Sequence, residues 1–517
     1  MKNLKGREER DKKKNAEKRR MDPVDMEREV THSGKKHSKK KSKNKPKKAS
    51  TGKEYVVIAY CFVGIFLALI GYLVYFNVEL RDDYANSPYN AKRQGTYKER
   101  VVKGEIISAD GQVLASTEKD EEGNEFRYYP YERVFAHAVG YSSKGVSGLE
   151  QSMNSQLLTS HANMVEQVEN EFKDEKNIGD NIITTLDTRL QQAAYDALGD
   201  YKGAVVVMEP DTGKILAMVS KPDFNPNTIA EDWEAINEDA GSSRLVNRAA
   251  QGLYPPGSTF KIITSLAYWR QNNTFDGFSF NCNGEVENGG YTIHCYHNSV
   301  HGQEDFPTAF ARSCNSAFAQ IGVDLNRGEY RQTVDSLLFN EELPLDFPYK
   351  KSRFSLEKNT ADALTMQTAI GQGETLVSPM HMAMIVSAIA NKGSLMQPYL
   401  VDRIETYTGT NVKTYEPKTY KKLMTEQEAS KLTSLMTGVV EGGTAAALAG
   451  RGYTAAGKTG TAEHGDVSST TPHSWFVGFS NVEDPDIVVS VIAEESGAGS
   501  EIAVPIAAKI FDCYYSE

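Results

Sequence analysis

The sequence predicts an α+β protein attached to a membrane by a single N-terminal helix. Two observations carry this prediction. Residues 55–78 form a run of 24 residues without a charge, and the C-terminal region has strand patterns at both of its ends with helical patterns between them. Terminal strands of this kind share one sheet, so we expect an antiparallel sheet sandwiched by helices.

Residues 1–53 predict a disordered, basic arm. They contain 21 Lys and Arg residues against 8 Asp and Glu residues, although the whole chain has a net charge of −11. A segment so rich in charge and so poor in aromatic residues cannot bury enough apolar surface to fold. Basic residues beside a membrane span are typical of its cytoplasmic side, so the charge needs no nucleic-acid partner to explain it.

The uncharged run predicts a transmembrane signal anchor over residues 54–78. About 20 apolar residues are needed to cross a bilayer as a helix, and this run is too long for the core of a cleaved signal peptide. A buried core helix is the alternative, but soluble helices rarely run so long without charge. We therefore expect a single-pass protein of the cell membrane, with a cytoplasmic N-terminus and an extracytoplasmic C-terminal region.

Residues 79–185 predict a small module of mixed structure, which we call the pedestal. Short strand patterns at 101–102 and 105–107 are separated by turn signals such as Asp110-Gly111. The larger domain is predicted over residues 186–517. Its predicted helices are 187–198, 259–269, 308–325, 379–391, 425–440 and one from Ala503 onward, and its predicted strands are 203–208, 215–219, 474–479 and 487–493.

Three short motifs stand in order in the larger domain. They are Ser-Thr-Phe-Lys at 258–261, Ser-Cys-Asn at 313–315 and Lys-Thr-Gly-Thr at 458–461. A Ser-x-x-Lys tetrad alone is weak, since its ordinary interpretation is a helix N-cap followed by a surface lysine. The ordered triple is the known signature of penicillin-binding proteins and related β-lactamases.

The first motif suits acyl transfer by a serine nucleophile. Ser258 opens a helix after Pro255-Pro256-Gly257, so Lys261 lies one turn later on the same face and can reach the hydroxyl. A lysine acts as a base when it is desolvated or near another cation, which Lys458 could supply. The helix N-terminus favours the negative charge on the attacked carbonyl oxygen.

The second motif predicts proton transfer. Ser313 would relay a proton between Lys261 and the leaving amine, and Asn315 would hydrogen-bond both lysine and substrate. Cys314, which lies between them, is predicted to be a buried residue that packs in the core and takes no part in the chemistry.

The third motif predicts an edge strand that binds the substrate. Gly460 lets a peptide approach the backbone and pair with it as an added strand. Thr459 and Thr461 would bind the substrate carboxylate beside Lys458. The backbone N–H groups of Thr461 and Ser258 would form an oxyanion hole.

Two cysteines outside the motifs predict a cross-link or a metal site. Cys282 and Cys295 lie 13 positions apart in a segment predicted to face an oxidising compartment, which favours a disulfide. A metal site is the alternative, because His301 and two other histidines crowd the same stretch and zinc accepts Cys and His ligands. The spacing matches no standard zinc signature, and reduced surface thiols are the third possibility.

With these motifs in hand, the chain resembles the class B (monofunctional) penicillin-binding proteins across nearly all of residues 79–517. The resemblance extends to Tyr-Pro-Pro-Gly before Ser258, Gly-Gln-Gly at 371–373, Trp-Phe-Val-Gly-Phe at 475–479 and, in the pedestal, Gly-Leu-Glu at 148–150. One departure is that Arg100 is separated from Gly104, whereas the family's module often begins with an Arg-Gly pair.

The resemblance implies a peptidoglycan D,D-transpeptidase without a cofactor. Ser258 would be acylated by the D-Ala-D-Ala end of a stem peptide, which is then joined to an amine of a neighbouring strand, and β-lactams would acylate the same serine. No polymerising domain lies between span and pedestal, so the resemblance suggests a polytopic glycosyltransferase of the shape, elongation, division and sporulation (SEDS) group as membrane partner.

Three alternative functions use the same motifs. A class D-like β-lactamase would hydrolyse its acyl-enzyme quickly, but a secreted lactamase needs neither an anchor nor a pedestal. A membrane-bound β-lactam sensor would keep both the anchor and the serine. A D,D-carboxypeptidase would transfer the acyl group to water.

Overall fold

The computed structural model describes residues 52–80, 99–239, 241–463 and 471–516. Nearly all of the predicted basic arm therefore lies outside the described residues. The chain divides into two units, Met1–Val74 and Tyr75–Glu517.

The predicted anchor segment forms one continuous helix, most of which belongs to the first unit. The helix Gly52–Tyr75 continues into a π-helical turn, Phe76–Leu80. Within it, the segment Tyr55–Val78 is long and apolar enough to cross a membrane. Its large apolar side chains are exposed, as expected for a helix whose partner is lipid.

The pedestal is built on a six-stranded sheet. In spatial order the strands are Asn411–Thr414, Val401–Glu405, Asn181–Thr184, Ile106–Ile107, Val113–Lys119 and Glu125–Tyr128. The first two come from the region predicted as the larger domain, so the sheet joins chain from both sides of the predicted boundary at residue 185. A separate parallel pair links Val101–Val102 to Asn177–Ile178. The pedestal helices are Glu132–Phe135, Ala136–Val139, Gly148–Ser152, Asn154–Leu157 and Met164–Lys173.

The larger domain is organised by a five-stranded antiparallel sheet. In spatial order the strands are Ala455–Ala462, His473–Ser480, Val488–Ala493, Gly203–Met208 and Ile215–Lys221. Strands from both ends of the domain thus share one sheet, as predicted. The third motif lies on its first, edge strand, and the four other strands are buried along nearly their whole length.

Helices cover this sheet. Thr188–Leu198 and Ala503–Tyr515 pack on each other and on the sheet, and Pro379–Ala390 and Glu426–Gly442 pack against it as a further layer. The other helices are Ile229–Glu238, Arg248–Gln251, Gly257–Phe260, Lys261–Asn272, Tyr296–Asn298, Phe306–Ala311, Asn315–Asp324, Arg327–Ser336, Asp362–Ala369 and Ala446–Leu448. The small antiparallel pairs are Phe280–Cys282 with Gly302–Glu304, Glu285–Asn288 with Tyr291–His294, and Ser394–Met396 with Thr419–Lys422.

Side-chain caps explain why several predicted helices begin where they do. Asp187 accepts a hydrogen bond from the backbone N–H of Leu190 and starts the helix Thr188–Leu198. Thr425 and Glu428 form a capping box at the helix Glu426–Gly442. Such caps satisfy N–H groups that the first turn leaves without partners, so a helix start is readable from local sequence.

One predicted helix is wrong. The pattern over 308–325 forms two helices, Phe306–Ala311 and Asn315–Asp324. Between them Ser313 has a φ of +59°, which a side-chain-bearing residue rarely adopts. Cys314 then caps the second helix, its sulfur accepting from the N–H of Ala317. The second motif therefore occupies a sharp turn that sequence periodicity does not reveal.

Candidate active site

The first motif sits in a helical turn that glycines hold in place. Ser258 lies in the turn Gly257–Phe260, directly before the helix Lys261–Asn272. Gly257 has a φ of +53°, and its N–H donates to the carbonyl of Gly371 at 2.9 Å. A Cβ on Gly371 would lie 2.0 Å from the Gly257 oxygen. The Gly-Gln-Gly segment thus supports the serine turn by close backbone contact.

Lys261 is fully buried and is held by the second motif. Its Nζ donates to the carbonyl oxygen of Ser313 at 2.7 Å, to Asn315 Oδ1 at 2.7 Å and to Ser313 Oγ at 3.2 Å. The expected contact with Ser258 is not formed: within the described residues, no hydrogen bond joins Lys261 to the Ser258 hydroxyl. The amine is instead fixed by Ser313 and Asn315 beside the serine turn.

The third motif brings a second buried lysine to the same hydroxyl. Lys458 Nζ donates to Ser313 Oγ at 2.9 Å and to the carbonyl oxygen of Thr459 at 3.2 Å. A Cβ on Gly460 would lie 2.9 Å from the Cβ of Trp475 and 3.0 Å from the carbonyl oxygen of Pro256. Close packing of the edge strand on the serine turn therefore requires glycine at 460, in addition to the predicted room for substrate.

Burial changes the protonation of both lysines. Desolvation lowers the pKa of Lys261 to about 8. Desolvation, with a further contribution from Lys261, lowers the pKa of Lys458 well below its ordinary value. The Nζ atoms also lie 5.4 Å and 5.5 Å from the ring centroids of Phe318 and Phe310, respectively. Two ammonium groups sharing one hydroxyl repel each other, so the pair favours losing a proton and can provide a free amine.

The serine turn, the second motif and the edge strand open onto a cleft of about 980 Å³. Ser258, Ser313, Asn315, Thr459 and Thr461 all line it. The cleft therefore contains the Ser258 hydroxyl, the Ser313 hydroxyl that is bonded to two lysine amines, and the edge of the sheet. Serine acyl transfer requires groups of these kinds close together.

Two further residues of the cleft were not singled out from the sequence. Thr444 Oγ1 lies 2.6 Å from Thr459 Oγ1, and both residues line the cleft. With its amide oriented to suit its neighbours, Gln372 bonds the backbone N and O of Glu463 at 3.0 Å each. Gln372 was noted only as part of the Gly-Gln-Gly resemblance, and Thr444 follows a helix end without any motif, so no local signal marks it.

The predicted disulfide is not formed. The sulfurs of Cys282 and Cys295 are 3.6 Å apart and both cysteines are free, whereas a disulfide bond is about 2.05 Å long. His301 Nδ1 lies 3.4 Å from Cys282, and the sulfur of Cys314 lies 3.7 Å from that of Cys295. Cys314 is buried, as predicted, but it also lies beside Cys295, a contact that the sequence did not predict.

The comparisons with known proteins agree with this geometry. Residues 203–512 match the family model of the penicillin binding protein transpeptidase domain. Residues 103–182 match that of the penicillin binding protein A dimerisation domain.

The chain belongs to the class B penicillin-binding proteins. Its larger domain is the serine-type transpeptidase domain of that family. A curated member, the peptidoglycan D,D-transpeptidase PbpA of Mycolicibacterium smegmatis, is 32% identical over 442 residues, covering 77% of this chain and 86% of the relative.

Solved class B structures share the fold. The crystal structure of PBPA from Mycobacterium tuberculosis is similar with a TM-score of 0.74 and 30% identity, covering 80% of this chain and 99% of that one. A ceftriaxone acyl-enzyme complex of the same M. tuberculosis protein is similar with a TM-score of 0.75 and 29% identity, covering 82% and 100%. The predicted fold class is confirmed.

Proposed function

We propose that this penicillin-binding protein cross-links peptidoglycan through an acyl-enzyme on Ser258. The observation that carries the proposal is the convergence of two buried lysines on Ser313 Oγ beside the serine turn. Neither lysine has a carboxylate partner in an ion pair among the described residues, so their buried charge is free to be lost. A free amine next to a serine is what nucleophilic activation requires.

In the first half-reaction, Ser258 Oγ attacks the carbonyl of the penultimate D-Ala of a stem peptide. Its proton passes to the free amine of Lys261 as the ester bond forms. Ser313 Oγ, bonded to both lysines, returns a proton to the nitrogen of the terminal D-Ala as the C–N bond breaks. The products are the acyl-enzyme and free D-alanine.

In the second half-reaction, an amine of a neighbouring strand attacks the ester. The same lysine and hydroxyl take a proton from that amine and return one to Ser258 Oγ, so the enzyme is regenerated and one amide bond replaces another. Asn315 keeps the Lys261 amine in position through the 2.7 Å bond to its Oδ1.

Substrate binding is assigned to the free side of the strand Ala455–Ala462. A peptide would pair with this edge near Gly460, while Thr459 and Thr461 contact its carboxylate beside Lys458. The backbone N–H groups of Ser258 and Thr461 would receive the developing oxyanion. β-Lactams would acylate Ser258 in the same way, in line with the ceftriaxone acyl-enzyme of the M. tuberculosis relative.

The domain plan and topology belong to the same proposal. Residues 1–53 form a cytoplasmic arm, 54–78 a single-pass anchor, 79–185 the pedestal and 186–517 an extracytoplasmic transpeptidase domain. The apolar helix of the first unit supports the anchor. A SEDS-type glycosyltransferase in the membrane would supply the glycan strands.

The test is acylation of the detergent-solubilised full chain by a fluorescent penicillin, followed by intact mass over hours. We expect a stable 1:1 adduct that is absent from Ser258→Ala and present in Ser299→Ala, a matched control because Ser299 also lines the cleft. Label on Ser258→Ala would overturn the assignment, and rapid drug turnover without lasting label would favour the β-lactamase alternative.

An acceptor assay separates the remaining alternatives. The assay contains a pentapeptide that ends in D-Ala-D-Ala and an amine acceptor. A transpeptidase forms cross-linked product in an amount that rises with the acceptor concentration. A carboxypeptidase releases D-alanine without that product, and a sensor gives stable penicillin label but neither product.

A further inference from the structure

Four potential metal ligands meet beside the second motif. The sulfurs of Cys282, Cys295 and Cys314 and a ring nitrogen of His301 all lie within 4.8 Å of one another. The three cysteines are buried, and His301 is partly exposed toward the cleft. The same region contains two other histidines, but His294 faces Glu285 at 3.2 Å and is not part of the group.

Three of the six distances between these four atoms match those of a tetrahedral zinc site. Zinc binds sulfur at about 2.3 Å and nitrogen at about 2.0–2.1 Å, so two sulfurs at tetrahedral angles lie about 3.8 Å apart, and a sulfur and a nitrogen about 3.6 Å apart. The two sulfur–sulfur distances are 3.6 and 3.7 Å, and the Cys282–His301 distance is 3.4 Å. Three edges of the tetrahedron therefore agree within about 0.2 Å.

Separate elements bring the ligands together. Cys282 ends the strand Phe280–Cys282, Cys295 follows the strand Tyr291–His294, His301 precedes Gly302–Glu304, and Cys314 caps the helix Asn315–Asp324. Because separate elements place the four ligand atoms together, the ligand set is preorganised. Cysteines that served only as small buried packing residues could fill the same space without bringing their sulfurs together.

Groups around the cluster suit thiolates bound to a cation. The backbone N–H of Gly284 donates to the sulfur of Cys282 at 3.4 Å, and that of Ala317 to the sulfur of Cys314 at 3.4 Å. N–H donors of this kind stabilise the excess negative charge of metal-bound thiolates.

A buried carboxylate near the cluster is an independent observation in favour of a cation there. Glu304 is only 2% exposed, and neither of its carboxylate oxygens has a hydrogen-bond partner among the described residues. It lies on the strand Gly302–Glu304, which directly follows His301 and pairs with the strand that ends at Cys282. A buried carboxylate is costly unless it faces a cation. Lys261 faces Glu304 without a hydrogen bond between them, and a metal ion in the cluster would add a second positive charge nearby.

We propose that Cys282, Cys295, Cys314 and His301 bind one Zn²⁺ ion that holds the second motif in its turn. Three cysteines and one histidine form a standard structural zinc set, and with all four positions occupied by protein the ion has none open for substrate. Soft thiolates disfavour calcium and magnesium, which take oxygen ligands, and iron–sulfur clusters commonly use four cysteines.

The site would act on catalysis by positioning. Cys314 stands between Ser313, whose φ is +59°, and Asn315, and both of these neighbours bind Lys261. Asn315 Nδ2 also donates at 3.1 Å to the carbonyl of His294, the residue before Cys295. Zinc would thus fix the strained turn from both sides, while the reacting atoms remain those of the three motifs.

The first test measures the metal content of the full chain purified in detergent, then equilibrated with Zn²⁺ and desalted. We expect one zinc per chain in the wild type and in Cys513→Ser, whose cysteine lies outside the cluster. We expect at least about tenfold less in Cys282→Ser and His301→Ala. Failure of the wild type to retain zinc, or an intact mass 2 Da lower from a Cys282–Cys295 disulfide, would overturn the site.

Cobalt substitution keeps the test informative if a variant fails to fold. Wild-type chain stripped by a chelator and loaded with Co²⁺ should show thiolate-to-cobalt charge-transfer absorption and the visible bands of tetrahedral coordination. Octahedral cobalt bands without charge transfer would contradict the ligand set.

The positioning role has its own readout. Stripped chain with unchanged far-UV circular dichroism should be acylated by penicillin about 10- to 100-fold more slowly, and Zn²⁺ should restore the rate. An unchanged rate would overturn the positioning role. This measurement rests on the proposed function, but zinc content does not: a chain that binds zinc and is never acylated would refute the function and leave the site intact.

Discussion

The pedestal and the active site bury ionised groups in opposite ways. In the pedestal, Glu150 is fully buried and lies 2.5 Å from Lys103 Nζ and 2.6 Å from Arg127 Nε. Burial alone would raise the pKa of Glu150, but Arg127 and Lys103 lower the pKa to about 2. In the active site, Lys261 and Lys458 are equally buried, but among the described residues their hydrogen-bond acceptors are hydroxyl, amide and carbonyl oxygens and no carboxylate.

The difference shows how one chain builds a rigid support and a reactive site from similar residues. A buried charge with two opposite charges beside it stays ionised and ties three segments together. Buried cations without an ion-pair partner are driven toward the neutral form, which is the form that accepts a proton. We therefore expect changes in the pedestal to alter stability and changes at the lysine pair to alter rate.

The largest effect is expected from Lys261→Met. Removing the amine while keeping an unbranched buried side chain should slow penicillin acylation by about 10²- to 10⁴-fold, the usual contribution of a general base. The melting temperature should not fall, because a desolvated amine is replaced by an apolar group. Stopped-flow acylation and thermal unfolding measure the two quantities. The control is Lys413→Met, at an exposed position on a pedestal strand. Equal slowing of acylation in the control would show that the effect is not specific to the active site.

The converse change is Glu150→Gln. It removes the buried carboxylate charge that pairs with both Lys103 and Arg127, so the free energy of unfolding should fall by about 3–5 kcal/mol. Urea unfolding of the detergent-solubilised chain measures it. The folded fraction should still be acylated at the wild-type rate. Glu169→Gln, at the exposed pair with Lys173, should change nothing measurable, and a slower acylation in Glu150→Gln would show that pedestal and site are not separable.

The two regions should respond at opposite ends of the pH scale. Since the pKa of Lys261 is lowered to about 8, the acylation rate should rise as pH increases through 8 and then level off. A lysine that binds fewer protons when folded also adds stability as pH rises from about 8 to its unfolded pKa. The ionisable groups facing Lys261 are Lys458, Glu304 and the thiols of Cys295 and Cys314.

Glu150 also adds stability as pH rises, but it does so in the acid range. Its pKa is lowered from 4.5 to about 2, so its contribution to stability is complete above pH 4.5 and is lost as pH falls toward 2. Acid unfolding of the wild type and Glu150→Gln should therefore converge below pH 4.5. A rate profile that is flat from pH 6 to 9.5, or curves that do not converge, would contradict the assignments.

The smallest effect is expected from Thr444→Val. The substitution keeps the shape of the side chain but removes the 2.6 Å bond to Thr459 Oγ1. A hydrogen bond of this kind contributes about 0.5–1.5 kcal/mol, so kcat/KM for acylation should fall about 2- to 12-fold. Thr437→Val, whose hydroxyl bonds only within its own helix, is the control. Equal losses in both would show that the Thr444 contact does not order the third motif.

Much of the fold could be predicted because its signals are local. The strand Gly203–Met208 was predicted residue for residue, and the caps at Asp187 and Thr425 begin helices close to the predicted starts. Hydrophobic periodicity and capping depend on residues a few positions apart. The turn at Ser313, with its positive φ, was missed because the residues that bond Ser313 there, Lys261 and Lys458, lie far away in the chain.

The sequence by itself determined the long apolar N-terminal helix, the α+β class and the identity of the three motifs, because each depends on residues close together in the chain. Only the tertiary structure decided that both lysines converge on Ser313, that Gly460 packs against the serine turn, and that Cys314 joins Cys282, Cys295 and His301. These contacts join segments that are far apart in the chain, such as Lys458 with Ser313 and Gly460 with Pro256. Such contacts form when the sheet and its helices pack, and no local pattern of residues encodes them.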